Sequence, residues 1–384
     1  MTDNEGSIKQ DSDDSGIGKS DPLNQAEVER LLNSLSGEQF RDWYDERQYR
    51  QNIENGTPYF NGPSSIPEPE RHSPSRLLKC HRKAIYQQCN APEETPNPDG
   101  IFWFGTRFEE DIAFPFLERA ITGSDTYVQN SVWVDFRVET RGQELHIKGE
   151  TDPLIVDEDA VPVLPTEIKT KSSVEHTTSP NRSHRAQLHA YMAGLSKKYD
   201  ANLTDGVILY GSRESLDVKV FHVEFDEEFW EEVVLKWAAN HTDYRLKSEL
   251  PPADPEHEWE CKFCAYSERC GKGNTEYQDV GPVGLLPRYT DYPKQKVIEY
   301  LEAHDNAQLT PGLAEKYPEL ETEYEVLSWC CPVCSSSFSR DTVGQKPNLD
   351  SVPLCPSCAA DDQFVELRIP APDRQPLNQC STSP

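Results

Sequence analysis

The chain has 384 residues, a length suited to two or three folded units of about 50 to 250 residues each. Lys and Arg number 38 against 67 Asp and Glu, a formal charge of −29, which excludes a basic coat for indiscriminate adhesion to nucleic acid or anionic membrane but not a local basic groove. With 30 Pro and a mean hydropathy of −0.75, a packed core is not expected along the whole length.

The opening MTDNEGSIKQDSDDSG lacks a basic-then-apolar leader pattern, and no apolar run long enough to span a membrane follows, so a soluble cytoplasmic protein is expected. Residues 1–23 are polar and aperiodic, a disordered tail. Val28, Leu31, Leu32, Leu35 and Phe40 recur at helical spacing, so 24–70 reads as an amphipathic helix, docked on the main domain, and a Gly/Pro/Ser-rich linker. The main domain is expected over 71–273. Helices are predicted over 75–88 and 105–120, extended segments over 128–139, 145–156 and 163–169, and a helix over 183–198. Strands over 207–211 and 218–225 and a helix over 227–246 close the unit. This order predicts an α/β fold with a mixed sheet flanked by helices. A helical linker (274–325, with one helix over 293–304), a cysteine-rich module (326–369) and a loose tail (370–384) complete the chain.

The segment LHIKGETDPLIV, a turn, and VLPTEIKTK carry the most chemistry. Asp152 falls at a strand bend, Glu167 and Lys169 alternate onto one face of the next strand, and a hairpin brings the two carboxylates together. Paired carboxylates repel unless a cation lies between them. An oxygen-preferring Mg2+ or Mn2+ fits, with the Ile168 carbonyl as a further ligand. Lys169 on that face would orient or help deprotonate a water, although acid–lysine alternation is also common on solvated strands. Upstream, IFWFGTRFEEDIAFPFL offers Glu109 as a third carboxylate. Downstream, HRAQLHAYMAGL sets Gln187 and Tyr191 one helical turn apart, placed to bond a substrate phosphate or to position the lysine.

The 11 cysteines group into Cys-x-x-Cys pairs, which indicates metal rather than disulfides. In WCCPVCSSSFSRD and SVPLCPSCAAD, Cys331, Cys334, Cys355 and Cys358 form two knuckles separated by 20 residues, the signature of a zinc ribbon. Its few basic residues favour contact with a protein partner, or a structural role, over phosphate binding. WECKFCAYSERC supplies only three thiolates, Cys261, Cys264 and Cys270. The basic residues are segregated: 71–89 holds five Lys or Arg and no acid, and 169–198 is similarly basic, so a positive channel toward the carboxylates is expected.

Asp152, Glu167 and Lys169, with Gln187 and Tyr191, resemble the PD-(D/E)xK nuclease superfamily and its RecB-like branch, which includes CRISPR-associated exonucleases. Glu109 stands where many relatives carry a metal-binding His. The resemblance implies a restriction-endonuclease-like core and metal-dependent hydrolysis of DNA phosphodiesters at single-stranded ends, in repair, recombination or CRISPR adaptation. It also implies a [4Fe-4S] cluster on Cys80, Cys261, Cys264 and Cys270; SPSRLLKCHRK matches the branch's opening helix, and zinc on the same thiolates is the alternative. The C-terminal ribbon departs from that pattern. A DNA-binding or assembly subunit that hardly cleaves is the rival reading. The acidic surplus would suit a very salty cytoplasm, as in a halophilic archaeon or the host of its virus.

Overall fold

A computed structural model describes residues 66–95, 99–123, 125–274, 281–343 and 352–376, together with scattered positions between 29 and 50. The chain forms two units, Met1–Asn61 and Gly62–Pro384. In the first, the described positions from Glu29 to Arg50 are mainly helical, in the region of the expected amphipathic helix. The expected tail at 1–23 lies outside the described residues.

The second unit is built on a five-stranded mixed sheet in the order β2-β5-β6-β7-β8. Its strands are β2 (Thr126–Gln129), β5 (Leu154–Asp157), β6 (Pro162–Lys171), β7 (Asp205–Ser212) and β8 (Val218–Glu224). A smaller sheet, in the order β1-β4-β3, is made of β1 (Arg71–His72), β3 (Trp133–Thr140) and β4 (Gln143–Glu150). β3 and β4 form a hairpin whose turn residues Arg141 and Gly142 both have positive φ, 52° and 79°, the mirror-image turn that suits strand twist.

Two expected strands, 128–139 and 145–156, each divide between the sheets. Pro153 has no N–H for a ladder, so the chain bends at Thr151, Asp152 and Pro153. The bend is fastened to the matching break at Val132, whose N–H donates to the Thr151 hydroxyl (3.0 Å) and whose carbonyl accepts from the Thr151 N–H (2.9 Å). This switch between sheets places Asp152 beyond the end of β5.

β6 is central and runs parallel to β7, joined to it through α4 (Arg182–Tyr199), so both its faces are covered. On one face Ile168 and Leu209 pack against Phe108, Ala113 and Leu117. These come from α2 (Asp99–Phe108), a π-turn at Glu109–Ala113, and α3 (Phe114–Ala120). Pro115, lacking an N–H, accounts for a defect at this point, and the Phe114 N–H reaches back five residues to the Glu109 carbonyl. The opposite face packs against α4 through Ala186, Leu188, Tyr191 and Leu195.

The helix expected from 75 begins only at His81: Pro74–Arg76 is a 3-10 turn, Leu78 has φ +56°, and α1 is His81–Gln88. The segment expected as a linker has its own core, with Leu285, Tyr292, Val297, Tyr300 and Leu313 closing around α5 (Lys294–Ala303) and α6 (Pro311–Lys316). Arg269, fully buried, joins it to the cysteine-bearing loop by donating to the carbonyls of Gly284 (2.6 Å), Gly281 and Val283 (both 3.0 Å). The start of the expected loose tail is also packed, with the Gln375 side chain pairing with both backbone groups of Leu285.

Gly211 in β7 lies directly under Phe108, and a Cβ there would meet the ring at 2.1 Å. Gly211→Ala is expected to cost about 1–3 kcal/mol by forcing α2 off the sheet, measured as a lowered urea midpoint; an unchanged midpoint would show that α2 is not held by this contact.

Candidate active site

β5 and β6 pair antiparallel with Leu154 opposite Pro165, and the same register continued past Leu154 sets Asp152 across from Glu167. Asp152 Oδ2 accepts from the Ile168 N–H at 2.6 Å, and the Thr166 hydroxyl donates to the Pro153 carbonyl, fixing the bend against the strand. Glu167 and Lys169, two residues apart, share one face of β6, while Ile168 turns into the apolar layer beneath α2.

Glu167 is 0% exposed in the middle of the sheet. Its carboxylate contacts the Lys169 ammonium but makes no well-formed hydrogen bond. Burial first, and then the charge of Asp152, push the Glu167 carboxyl up to about 8. Lys169 Nζ also lies 3.2 Å from the Ile168 carbonyl oxygen and 3.7 Å from Asp152 Oδ2. The ammonium therefore sits among the three oxygens expected to hold a divalent ion and stands in for its positive charge. Burial alone would lower the Lys169 pKa, and the two carboxylates more than reverse it.

Glu109 opens the π-turn on the edge of this cluster. Burial and Asp152 raise its carboxyl to about 7, with Lys169 acting in the opposite direction. Glu109, Asp152 and Glu167 do not all close to within 4.8 Å of one another. Gln187 and Tyr191 meet as expected, with the amide donating to the phenol oxygen at 2.6 Å. Tyr191 is 1% exposed and faces Glu167. Both residues are buried where α4 packs on the sheet, with Tyr191 between Gln187 and the carboxylate.

Two cysteine groups occur. Cys331 and Cys358 Sγ are 3.6 Å apart, as are Cys334 and Cys355, and all four sulfurs lie within 4.8 Å. A tetrahedral ion with Zn–S bonds of about 2.3 Å requires sulfurs about 3.8 Å apart, so the group has the size of a single-ion site. The N–H groups of Cys334 and Cys358 point at the first sulfur of their knuckles, both at 3.4 Å. Cys330 lies outside the cluster, beside Ser328 and Ser337.

Cys80, Cys261, Cys264 and Cys270 line one groove but do not close to single-ion size. The structure brings them there by contacts that do not involve sulfur. The His81 N–H and ring bond Asp254 (2.8 and 2.6 Å), Arg82 donates to the Pro251 carbonyl (2.8 Å), and Tyr86 packs on Tyr266. Cys89 is buried in the apolar cluster against which Cys264 and Cys270 pack, and its carbonyl accepts from His304.

A carboxylate pair and a lysine meet at the bend of a mixed sheet covered by helices on both faces, an arrangement of charges able to hold a cation. The model of the PD-(D/E)XK nuclease superfamily matches residues 39–271, and the chain belongs to this superfamily of metal-dependent nucleases. No curated protein matches the chain. Among solved structures, the crystal structure of SSO0001 is similar over 62% of this chain and 100% of that one, at 19% identity and a TM-score of 0.40, too loose a match to carry any argument.

Protons and a divalent ion compete for Glu167. Its raised pKa makes the metal-free fold lose stability as pH rises from about 4.5 to about 8, and an ion relieves that loss. The increase in melting temperature on adding Mn2+ is therefore expected to be larger at pH 8 than at pH 6, and Glu167→Gln is expected to flatten the difference. Equal increments at both pH values in the wild type would contradict the site.

Proposed function

We propose that the chain is a metal-dependent deoxyribonuclease acting on single-stranded ends, in DNA repair, recombination or CRISPR adaptation. The observation that carries the reading is the Lys169 ammonium held among Glu167, Asp152 and the Ile168 carbonyl, which supports a pocket suited to a cation. Asp152 and Glu167 would hold Mg2+ or Mn2+, with the Ile168 carbonyl as a further ligand and Glu109 supporting from the rim. A divalent ion bound there supplies charge to the phosphoryl oxygens and neutralises the two carboxylates. Lys169, a third exposed, would turn toward the groove and, as an ammonium, orient the attacking water and neutralise charge on the phosphate; the water oxygen bonds phosphorus as the bond to the leaving strand oxygen breaks, and the water's proton passes to solvent. Gln187 bonds Tyr191, which lies toward Glu167, and both would be positioning residues.

Cys80, Cys261, Cys264 and Cys270 would hold a [4Fe-4S] cluster. Four thiols gathered in one groove yet too open for one tetrahedral ion support a larger inorganic body. The Cys331 group would hold Zn2+, completing a module whose core, among the described residues, is Trp329, Phe338, Val343, Val365 and Leu367 around the cysteines. Val333, Leu354 and Phe364 are exposed there, which supports contact with a protein partner.

A labelled single-stranded oligonucleotide with Mn2+, assayed at several salt concentrations including molar KCl, tests the activity. Wild type is expected to shorten it, and Lys169→Ala to reduce the rate roughly 100-fold or more. If both leave it intact, the chain is a DNA-binding or assembly subunit. Metal analysis after anaerobic purification is expected to find iron, sulphide and zinc together; zinc alone, at two equivalents, would overturn the iron–sulphur assignment.

A further inference from the structure

Beside the carboxylates runs a groove of about 940 Å³ that extends from the start of α4 to the cysteine-bearing loop. Its cations are Arg76, Lys79, Lys83, Lys171, Arg213 and Lys272, against only Glu256 and Glu260. In a chain of net charge −29 this is a local reversal of sign, on a lining suited to phosphate. The inner end adjoins the carboxylate site: Lys79 Nζ donates to Ser183 Oγ (3.2 Å), and its charge acts on both Glu167 and Lys169. Here the N-terminal turn of α4 carries no side-chain cap. Lys171 is fixed over the Tyr210 ring (4.1 Å) and bonded to Asn181 (3.2 Å), so this end is a built polar surface.

The outer wall differs. On the 3-10 turn Glu258–Phe263, Trp259 is 59% and Phe263 81% exposed, and both line the groove. Neither belongs to an apolar core in the structure. The Trp259 ring is stacked on one side by His257, with centroids 5.9 Å apart and planes 17° apart. Two large aromatic faces open to solvent, opposite a row of cations, have one chemical complement: a strand whose phosphates lie on the cations while its bases lie on the rings. A duplex hides its base faces in its own stack, so the complement is single-stranded.

We infer that Trp259 and Phe263 form a base-stacking platform that holds unpaired nucleotides flanking the scissile phosphate, with the phosphates tracked by Lys79, Lys83 and Lys171. The platform rests on the nuclease reading for its place beside the reacting bond, but its binding is measurable without cleavage. It assigns a role in strand recognition to the turn that carries Cys261, so the cysteine-bearing loop presents the aromatic wall as well as its sulfurs.

The test uses the full-length protein, purified anaerobically, and fluorescein-labelled oligothymidylate in Ca2+, with fluorescence anisotropy as the readout. Trp259→Ala is expected to weaken binding roughly 10-fold, and Trp259→Ala with Phe263→Ala further. Trp259→Phe is expected to restore most of the affinity, which a merely structural role for the indole would not allow. An oligonucleotide with abasic sites is expected to bind wild type as weakly as the alanine variant binds the normal strand. Unchanged affinity in both alanine variants, or equal losses in Trp259→Phe and Trp259→Ala, would overturn the platform. Cleavage in Mn2+ separates the two claims. Wild type that binds through Trp259 yet never cuts would sink the nuclease reading and leave the platform standing; wild type that cuts while Trp259→Ala binds normally would do the reverse.

Discussion

A carboxylate with no exposure, in the central strand of a sheet, is affordable only beside a cation. Glu167 is that group, and the molecule's functional half is arranged around supplying its counter-charge. The sheet switch at Thr151–Pro153 brings Asp152 opposite it, alternation along β6 brings Lys169 onto the same face, and Tyr191 closes the pocket from α4. In the metal-free arrangement the lysine ammonium fills the central place. The same geometry explains why Lys169 is both half of an ion pair and the cation proposed to orient the attacking water. Whatever neutralises Glu167 and Asp152 in its stead releases it.

Around that pocket, charge is distributed against the average. The exterior carries the acidic surplus, while one groove gathers cations from α1, from the end of β6 and from the cysteine-bearing loop. Those segments meet because His81 and Arg82 bond the 251–254 segment and Tyr86 packs on Tyr266, so the groove does not depend on sulfur ligation alone. A bound cluster would add to a closure that already exists. The module around Cys331 is the opposite case, with little core among its described residues besides the cysteines.

Much of the site was legible in the sequence because its chemistry is local. Asp152, Glu167 and Lys169 lie within 18 residues, Gln187 and Tyr191 are one helical turn apart, and the paired knuckles announce a metal by spacing alone. The sequence misled where tertiary contacts decide. Apolar periodicity ran through 128–139 and 145–156 without revealing that each crosses between sheets, although Pro153 marked the place. For Gln187 and Tyr191 the spacing left open contact with a substrate phosphate or positioning of the lysine; the packing of α4 adds that they bond each other and that Tyr191 lies toward Glu167. The segment after the cysteine-bearing loop looked like a linker because its apolar residues are spread among prolines and tyrosines; their convergence around Leu313 and the buried Arg269 has no periodic signal. Trp259, inside a cysteine motif, gave no hint of exposure.

The central claim is that the three oxygens now facing Lys169 Nζ form a divalent-ion site. Anomalous diffraction from crystals of the full chain soaked in Mn2+ tests it most directly. The account predicts a manganese peak bounded by Asp152, Glu167 and the Ile168 carbonyl, with the Lys169 ammonium displaced toward the groove. Manganese elsewhere, or none with Lys169 still seated between the two carboxylates, would contradict it.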